Sequence, residues 1–198
     1  MNDDRERWNE KYRTENAVPA EADPLLEEMA AGLTPGYALD LAGGGGRNAI
    51  WLAQRGWRVV LTDLADEAIA MAAARAAEAG AEMETRCESV QETMAWATRQ
   101  RDAEGVRFDL ILVFRFLVRE IFEELPGLLK PGGLLLYKSF TLEKPRFANG
   151  DARAYALRPG ELRTAFPALE TVLYREADGV AELAARARGR RGLAARAR

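Results

Sequence analysis

Two aspartates flanking a run of four glycines are the residues whose types and spacing point most directly to ligand chemistry. Tyr37-Ala38-Leu39-Asp40-Leu41 reads as a short strand, Ala42 to Gly46 follow it, and Asn48 to Arg55 carry a helical pattern stopped by Gly56. Trp57 to Thr62 reads as a second strand that ends at Asp63. In an open α/β sheet, ligands bind beyond the carboxyl ends of the strands, where glycines let the backbone come close. The helix that follows offers unpaired N–H groups to the same space. A carboxylate at each strand end then adds acceptors: Asp40 suits a cationic group, and Asp63 suits a pair of sugar hydroxyls.

Two cofactor chemistries compete for this pattern. Gly44-Gly45-Gly46-Arg47-Asn48-Ala49 satisfies the G-x-G-x-x-G/A fingerprint of nicotinamide and flavin sites. Asp40 weighs against that reading, because a carboxylate just before the glycines repels a pyrophosphate. S-adenosylmethionine has no phosphate, and its methionine end carries an ammonium for which a carboxylate is the natural partner. The residues therefore favour S-adenosylmethionine as cofactor. An NAD(P)-dependent oxidoreductase stands as the alternative, and a non-catalytic cofactor-binding module as a third reading.

Composition narrows the chemistry further. The chain has no histidine, which removes the commonest general base and metal ligand. Cys87 is its one cysteine, so neither an internal disulfide nor a cysteine cluster is available, and no metal site is expected. A length of 198 residues suits one domain, expected over residues 1–187 with a helical cap at 1–35. The polar N-terminus and the absence of a long apolar run point to the cytoplasm, with no membrane partner. Net charge is −3, yet no acid follows Glu182, while Arg186, Arg188, Arg190, Arg191, Arg196 and Arg198 do. Residues 188–198 are thus expected to form a basic, flexible tail, and the acidic body argues against nucleic acid as a partner.

The elements that must position the glycine run follow an alternating rhythm. A helix is expected from about Pro24 to Gly32. After Asp63, Asp66 reads as the cap of a helix from Glu67 to Ala79 that Gly80 ends. Glu82 to Cys87 is a weaker third strand, followed by a helix through about Gln100. Phe108 to Phe114 is the clearest buried strand. A helix from Arg119 to Leu129, a Lys130-Pro131-Gly132-Gly133 turn and a strand from Leu134 to Lys138 complete the run. Strands and helices at this spacing imply a doubly wound, mostly parallel sheet with helices on both faces. The end departs from the rhythm: a short helix opens at Pro159, and strands at Glu170 to Glu176 and Val180 to Arg186 flank an Asp178-Gly179 turn. The expectation is a seven-stranded α/β fold closed by an antiparallel hairpin.

Leu39-Asp40-Leu41-Ala42-Gly43-Gly44-Gly45-Gly46-Arg47-Asn48-Ala49 resembles the first motif of class I S-adenosylmethionine-dependent methyltransferases, which have a Rossmann-like fold. It is most similar to the tellurite-resistance and thiopurine methyltransferase-like branch. Trp8 and Tyr12 match that branch's N-terminal Trp-x-x-x-Tyr, and Val113 to Leu117 match its Val-Phe-Arg-aromatic-Leu stretch. Lys130 to Gly133 and Arg158-Pro159-Gly160-Glu161-Leu162 also fit, so the resemblance spans nearly the whole chain. Gly43 stands where the branch usually has cysteine, at a position that mainly contributes backbone. Glu88-Ser89-Val90 falls where the family usually has an Asp-Leu pair near adenine. The resemblance implies a cofactor site of Asp40, Ala42, Gly43, Gly44, Gly46, Asn48, Asp63, Leu64, Glu88, Ser89, Val90 and Phe114.

In such a site the sulfonium activates its own methyl, and alignment of the acceptor supplies much of the acceleration. A soft sulfur, selenium or tellurium nucleophile needs no protein base, which fits a chain without imidazole. The expected activity is methyl transfer to a small-molecule acceptor by in-line displacement. Trp8, Tyr12, Phe114 and Arg115 are the acceptor-side candidates, with Phe140, Phe147 and Tyr155 further along the same wall. For the aromatic residues, core packing is the competing reading. Arg115 follows a buried strand, so it either holds an anionic substrate or bridges to an acid such as Glu120. Arg146 and Arg153 fall in a turn-rich stretch that reads as a lid or a solvated loop.

Overall fold

Tyr37–Leu41 is buried at every position and Phe108–Phe114 at all but one, as strands covered on both faces of a sheet must be. The computed structural model describes residues 2–14, 19–147 and 150–189. Helices α1 (Asn2–Thr14) and α2 (Pro24–Ala30) precede β1 (Tyr37–Leu41). There follow α3 (Arg47–Ala53), β2 (Arg58–Asp63), α4 (Asp66–Glu78), β3 (Glu84–Cys87), α5 (Val90–Glu104) and β4 (Phe108–Phe114). The chain continues through α6 (Leu125–Leu128), β5 (Leu129–Phe140), α7 (Glu161–Thr164), β6 (Leu169–Ala177) and β7 (Val180–Ala187).

The strands form one sheet in the order β3-β2-β1-β4-β5-β7-β6. β1 to β5 pair in parallel, and β7 lies antiparallel between β5 and β6. Side chains alternate between two cores. Leu39, Leu41, Ile111, Val113, Leu135 and Tyr137 face a cluster that includes Met94 and Ala97 of α5 and Leu162 of α7. Ala38, Leu61, Leu110, Leu112, Phe114, Leu134 and Leu136 face the other, with residues of α2, α3 and α4. This is the expected doubly wound, mostly parallel seven-stranded sheet with helices on both faces. Asp178 and Gly179, at φ 52° and 71°, form the tight turn of its closing hairpin.

Three local expectations are corrected. The helix expected over Arg119–Leu129 is instead a single 3-10 turn at Arg119–Ile121 and the one-turn α6. Pro126 lacks the N–H, and its ring collides with the carbonyl four residues back, so a continuous helix cannot pass. The Lys130–Gly133 turn is absorbed into β5, where the pairing with β4 shifts register between Phe108 and Leu110. Asp66 is not the cap of α4: Ala65 holds that position without a side-chain bond. The cap comes from α1 instead, because Asn9 Oδ1 accepts the Glu67 N–H at 3.2 Å. Asp66 accepts from Asn9 and Arg5, each at 3.2 Å, and Arg13 reaches Glu67 at 3.0 Å. Polar contacts therefore fasten the N-terminal helix over the start of α4. The basic tail expected at 188–198 lies outside the described residues from Arg190 onward.

Candidate functional site

β1 is the switch point of the sheet, since its neighbours β2 and β4 lead outward in opposite directions. Asp40 stands near its carboxyl end, on the face shared by Ala38 and covered by α2 and α3. Its side chain is 1% exposed, and neither carboxylate oxygen has a hydrogen-bond partner among the described residues. The Ala49 N–H approaches without meeting hydrogen-bond geometry. Burial pushes the carboxyl up to about 7, against the pull of the Arg47 guanidinium, and the charge of Asp63 pushes the same way as burial. A buried carboxylate costs free energy unless something pairs with it, so its orphaned oxygens mark a place built for a cationic partner.

The glycine loop is shaped around that carboxylate. A β-carbon at Gly43 would fall 2.7 Å from both Cγ and Oδ2 of Asp40, so the position must stay bare unless the carboxylate moves. The Gly43 N–H donates to the Thr62 carbonyl at 3.0 Å, tying the loop to β2. Ala42 and Gly44 take left-handed backbone, at φ 55° and 58°. Tyr12 of α1 covers Gly44: a β-carbon there would stand 2.4 Å from its hydroxyl. Gly46 caps α3 at φ 81°, where a β-carbon would meet that of Ala72 at 2.9 Å. A carboxylate below, bare backbone above and a tyrosine over the loop fit the ammonium end of S-adenosylmethionine.

Asp63 closes the other side. Oδ2 accepts the Gly44 N–H and Oδ1 the Ala65 N–H, both at 2.9 Å. Burial raises its pKa, and these backbone bonds oppose the rise. Each oxygen keeps a lone pair for a further donor, so the residue that shapes the loop also has acceptors left for sugar hydroxyls. Leu64 follows it half-buried.

The remaining sequence candidates divide. Asn48 is buried, and its Oδ1 accepts the Asp23 N–H at 2.9 Å, which ties α2 to α3. Glu88 accepts both Arg86 Nε at 3.0 Å and Nη2 at 2.9 Å, and also the Thr93 hydroxyl. Ser89 caps α5 in a reciprocal box with Glu92, and its hydroxyl donates to that carboxylate at 2.7 Å. Val90 opens α5, half-buried against the core. With Ser89 Oγ so engaged, Ser89→Ala is expected to cost about 1 kcal/mol of stability. It should leave S-adenosylhomocysteine affinity within about twofold; a larger loss in a calorimetric titration would place Ser89 on the ligand.

On the acceptor side, Phe114 is buried in the α2/α3 core, at the same edge of the sheet as Asp40. Arg115 follows it, exposed and at φ 58°, with its backbone N–H on the Lys138 carbonyl at 2.6 Å. No ion pair to Glu120 or to any other acid forms at Arg115 among the described residues. Trp8 is half-buried, with the Lys11 ammonium 4.6 Å from its ring centre. Phe140 and Phe147 pack at 5.5 Å, and Arg146 stacks over both, at 4.1 and 4.6 Å. Tyr155 is 49% exposed, beneath Arg7.

A polar cluster that the sequence reading missed lies beside these residues. Asp23, 2% exposed, accepts from Arg47 at 3.1 Å, from Lys138 at 2.9 Å and from the Leu25 N–H at 3.1 Å. Lys138 also reaches Glu182 at 2.7 Å. The signal was available in β5: Lys138 shares the strand face of Leu134 and Leu136, and a lysine in such a row demands a carboxylate. Two open surface clefts lie elsewhere. One of about 330 Å³ is lined by Gln91, Met94 and Glu120 among others, and one of about 290 Å³ by Ala73, Met83 and Thr85 among others. Neither is lined by the glycine loop, so polar chemistry and not cleft volume marks the site.

Residues 38–133 match the family described as a methyltransferase domain. No curated protein sequence matches the chain. Among solved structures, TehB from Haemophilus influenzae aligns with a TM-score of 0.69 and 20% identity, over 93% of this chain and 67% of that one. A structure described as the conversion of a disulfide bond into a thioacetal group during echinomycin biosynthesis aligns equally, at 0.69 and 20%, over 93% of each chain. Magnesium protoporphyrin IX methyltransferase (ChlM) from Synechocystis PCC 6803, with bound SAH, aligns at 0.66 and 15%, over 92% of this chain and 93% of that one.

Proposed function

We propose that this chain, whose residues 38–133 form a class I S-adenosylmethionine-dependent methyltransferase domain, transfers the cofactor's methyl group to a small molecule with a soft sulfur, selenium or tellurium nucleophile. The observation that carries the reading is Asp40: a carboxylate buried under bare glycine backbone, with both oxygens unpartnered among the described residues. A dinucleotide pyrophosphate would meet repulsion there, whereas an ammonium would supply the missing partner. The cofactor, when bound, supplies an activated methyl on a cationic sulfur.

The chain's own residues then hold and orient. Asp40 takes the ammonium, the Gly43–Gly46 backbone lets the amino-acid end approach, and Asp63 accepts sugar hydroxyls while keeping the loop folded. Ala42, Leu64, Phe114 and the Glu88–Val90 turn line the rest of the cofactor's path, and Tyr12 closes the site from above. Trp8, Phe114 and Arg115 face the acceptor. With no histidine in the chain and both site aspartates engaged with the cofactor, the acceptor arrives with its lone pair ready. Catalysis is alignment and exclusion of water. The neighbour that forms a thioacetal from a disulfide lends support for sulfur chemistry on this fold. No described helix is long and apolar enough to cross a membrane, and a single-cysteine chain suits the cytoplasm.

S-adenosylhomocysteine at a hundred times its Kd should stabilise the protein by about 2.7 kcal/mol, read as a raised Tm, and NADH should not. Incubation with S-adenosylmethionine and a panel of thiols, selenite and tellurite should release S-adenosylhomocysteine. A Tm shift with NADH and none with S-adenosylhomocysteine would reverse the assignment.

A further inference from the structure

Within residues 4–14 of α1 only Asn9 is buried, at 5% exposure, and it is polar. Both ends of its amide engage the start of α4. Nδ2 donates to Asp66 at 3.2 Å, and Oδ1 accepts the Glu67 N–H at 3.2 Å. The ion pairs beside it, Arg5–Asp66 at 3.2 Å and Arg13–Glu67 at 3.0 Å, are open to water. Exposed pairs contribute little, whereas a buried polar group left without its partner costs the full loss of its hydration. Among the polar contacts, Asn9 therefore dominates the hold of α1 on α4.

The same helix reaches the glycine loop. Asn9 and Tyr12 are three residues apart and so share a face of α1. The Tyr12 hydroxyl lies against Gly44 and leaves no room there for a β-carbon. Gly44 and the start of α4 are joined in turn by Asp63, which accepts the Gly44 and Ala65 N–H groups at 2.9 Å each. The helix, the glycine loop and residues 63–67 thus close into a ring, with Asp63 on one side and Asn9 and Tyr12 on the other. A ligand seated on this loop leaves past α1. Because α4 has no side-chain cap of its own, lifting α1 also hands the Glu67 N–H to water.

Resting on the assignment of S-adenosylmethionine as cofactor, we propose that Asn9 is a positioning residue: by latching α1 to the start of α4 it holds Tyr12 over the glycine loop and sets how fast the cofactor leaves. Asn9 acts through the helix and touches no ligand itself. An amide suits the post because it donates to a carboxylate and accepts a backbone N–H at once, which an ionised carboxylate cannot do. Linkage makes the effect reciprocal: whatever the closed helix adds to retention of the cofactor, bound cofactor returns to the Asn9 contact.

Stopped-flow binding and displacement of S-adenosylhomocysteine on the full chain test this. Asn9→Ala should speed release at least about tenfold while changing association by less than about threefold. Asn9→Asp separates the latch from the helix cap. It keeps an acceptor for the Glu67 N–H, so the Tm should hold, but it sets a carboxylate against Asp66, so release should again be fast. Adding Asp66→Asn to Asn9→Asp returns a donor to the pair and should bring release back to within about threefold of the wild type. In the wild type, the Glu67 amide should exchange with deuterium more slowly once S-adenosylhomocysteine is bound, a measurement that needs no variant to fold. Release at wild-type speed in Asn9→Ala or Asn9→Asp overturns the latch, as does Glu67 exchange that ignores the ligand. A double variant as fast as Asn9→Asp overturns it too, because the contact with Asp66 is then not what holds α1. If the wild type binds no S-adenosylhomocysteine, the cofactor assignment itself falls and takes the latch with it; tight binding with unaltered release in the variants removes the latch alone.

Discussion

Asp40→Asn is expected to stabilise the unliganded protein and, in the same molecule, to weaken S-adenosylhomocysteine binding at least about a hundredfold. Both effects have one cause. The folded protein holds the Asp40 carboxyl near 7 because burial strips its water, where an ordinary aspartate titrates at 3.8. Below about pH 4 the group is protonated folded or unfolded, and it costs nothing. Between the two values the unfolded chain ionises first, so stability is lost as pH rises, and above 7 the loss is constant. Asparagine carries no charge and avoids this cost, though its amide must find partners, so the gain at pH 8 is at most about 4 kcal/mol. It should shrink toward zero near pH 4.

Chemical denaturation of the two proteins at pH 4, 6 and 8 reads the effect directly. An asparagine variant less stable than the wild type at pH 8 would show that the carboxylate is paired within the protein. The charged groups around Asp40 are Arg47, which favours its ionised form, and Asp63, which opposes it. The cofactor's ammonium requires the ionised form, so wild-type affinity should rise as pH increases through 7 and then level off. Binding at pH 7 should release about half a proton, seen as a dependence of the binding enthalpy on the buffer.

The second large effect belongs to Asp23. Asp23→Ala removes the anion between Arg47 and Lys138 and the acceptor of the Leu25 N–H at the start of α2. Two cations with side chains 14% and 17% exposed are then left short of a partner. The expected cost is roughly 3–5 kcal/mol, because breaking one side of a buried pair strands the other. Lys138 keeps Glu182, which places the result toward the lower end. The denaturation midpoint should fall with an unchanged slope. Asp23→Asn keeps an acceptor for the Leu25 N–H and should lose less. A change below 1 kcal/mol, of the size seen for exposed ion pairs, would show that water reaches the cluster.

Much of the fold is legible in the chain because periodicity and punctuation are local. β1, β2 and β4 are short, mainly apolar runs at strand length, and the Asp178-Gly179 turn announces the hairpin. Where the reading went wrong, a local signal was overruled by a neighbour it could not see. Asp66 is a good cap by type, yet Asn9 from the far end of the chain supplies the cap and leaves Asp66 to bind Arg5. Of a different kind are Ser89 and Glu88, singled out near adenine: nothing contradicts that placement, and the structure adds bonds to Glu92, Arg86 and Thr93 that composition does not reveal.

The glycine run between Asp40 and Asp63 was visible from the start, and its residue types by themselves determined that an ammonium suits the site and a pyrophosphate does not. That conclusion needs only the sign of a charge and its place at a strand end, both local properties of the chain. Tertiary structure alone decided that Asp40 is orphaned, that Gly43 is bare because the carboxylate fills the space beside it, and that Tyr12 closes over Gly44. It alone brought Arg47, Lys138 and Asp23 together from three separate segments. Burial and long-range pairing depend on what the sheet places alongside, and no stretch of sequence carries that information by itself.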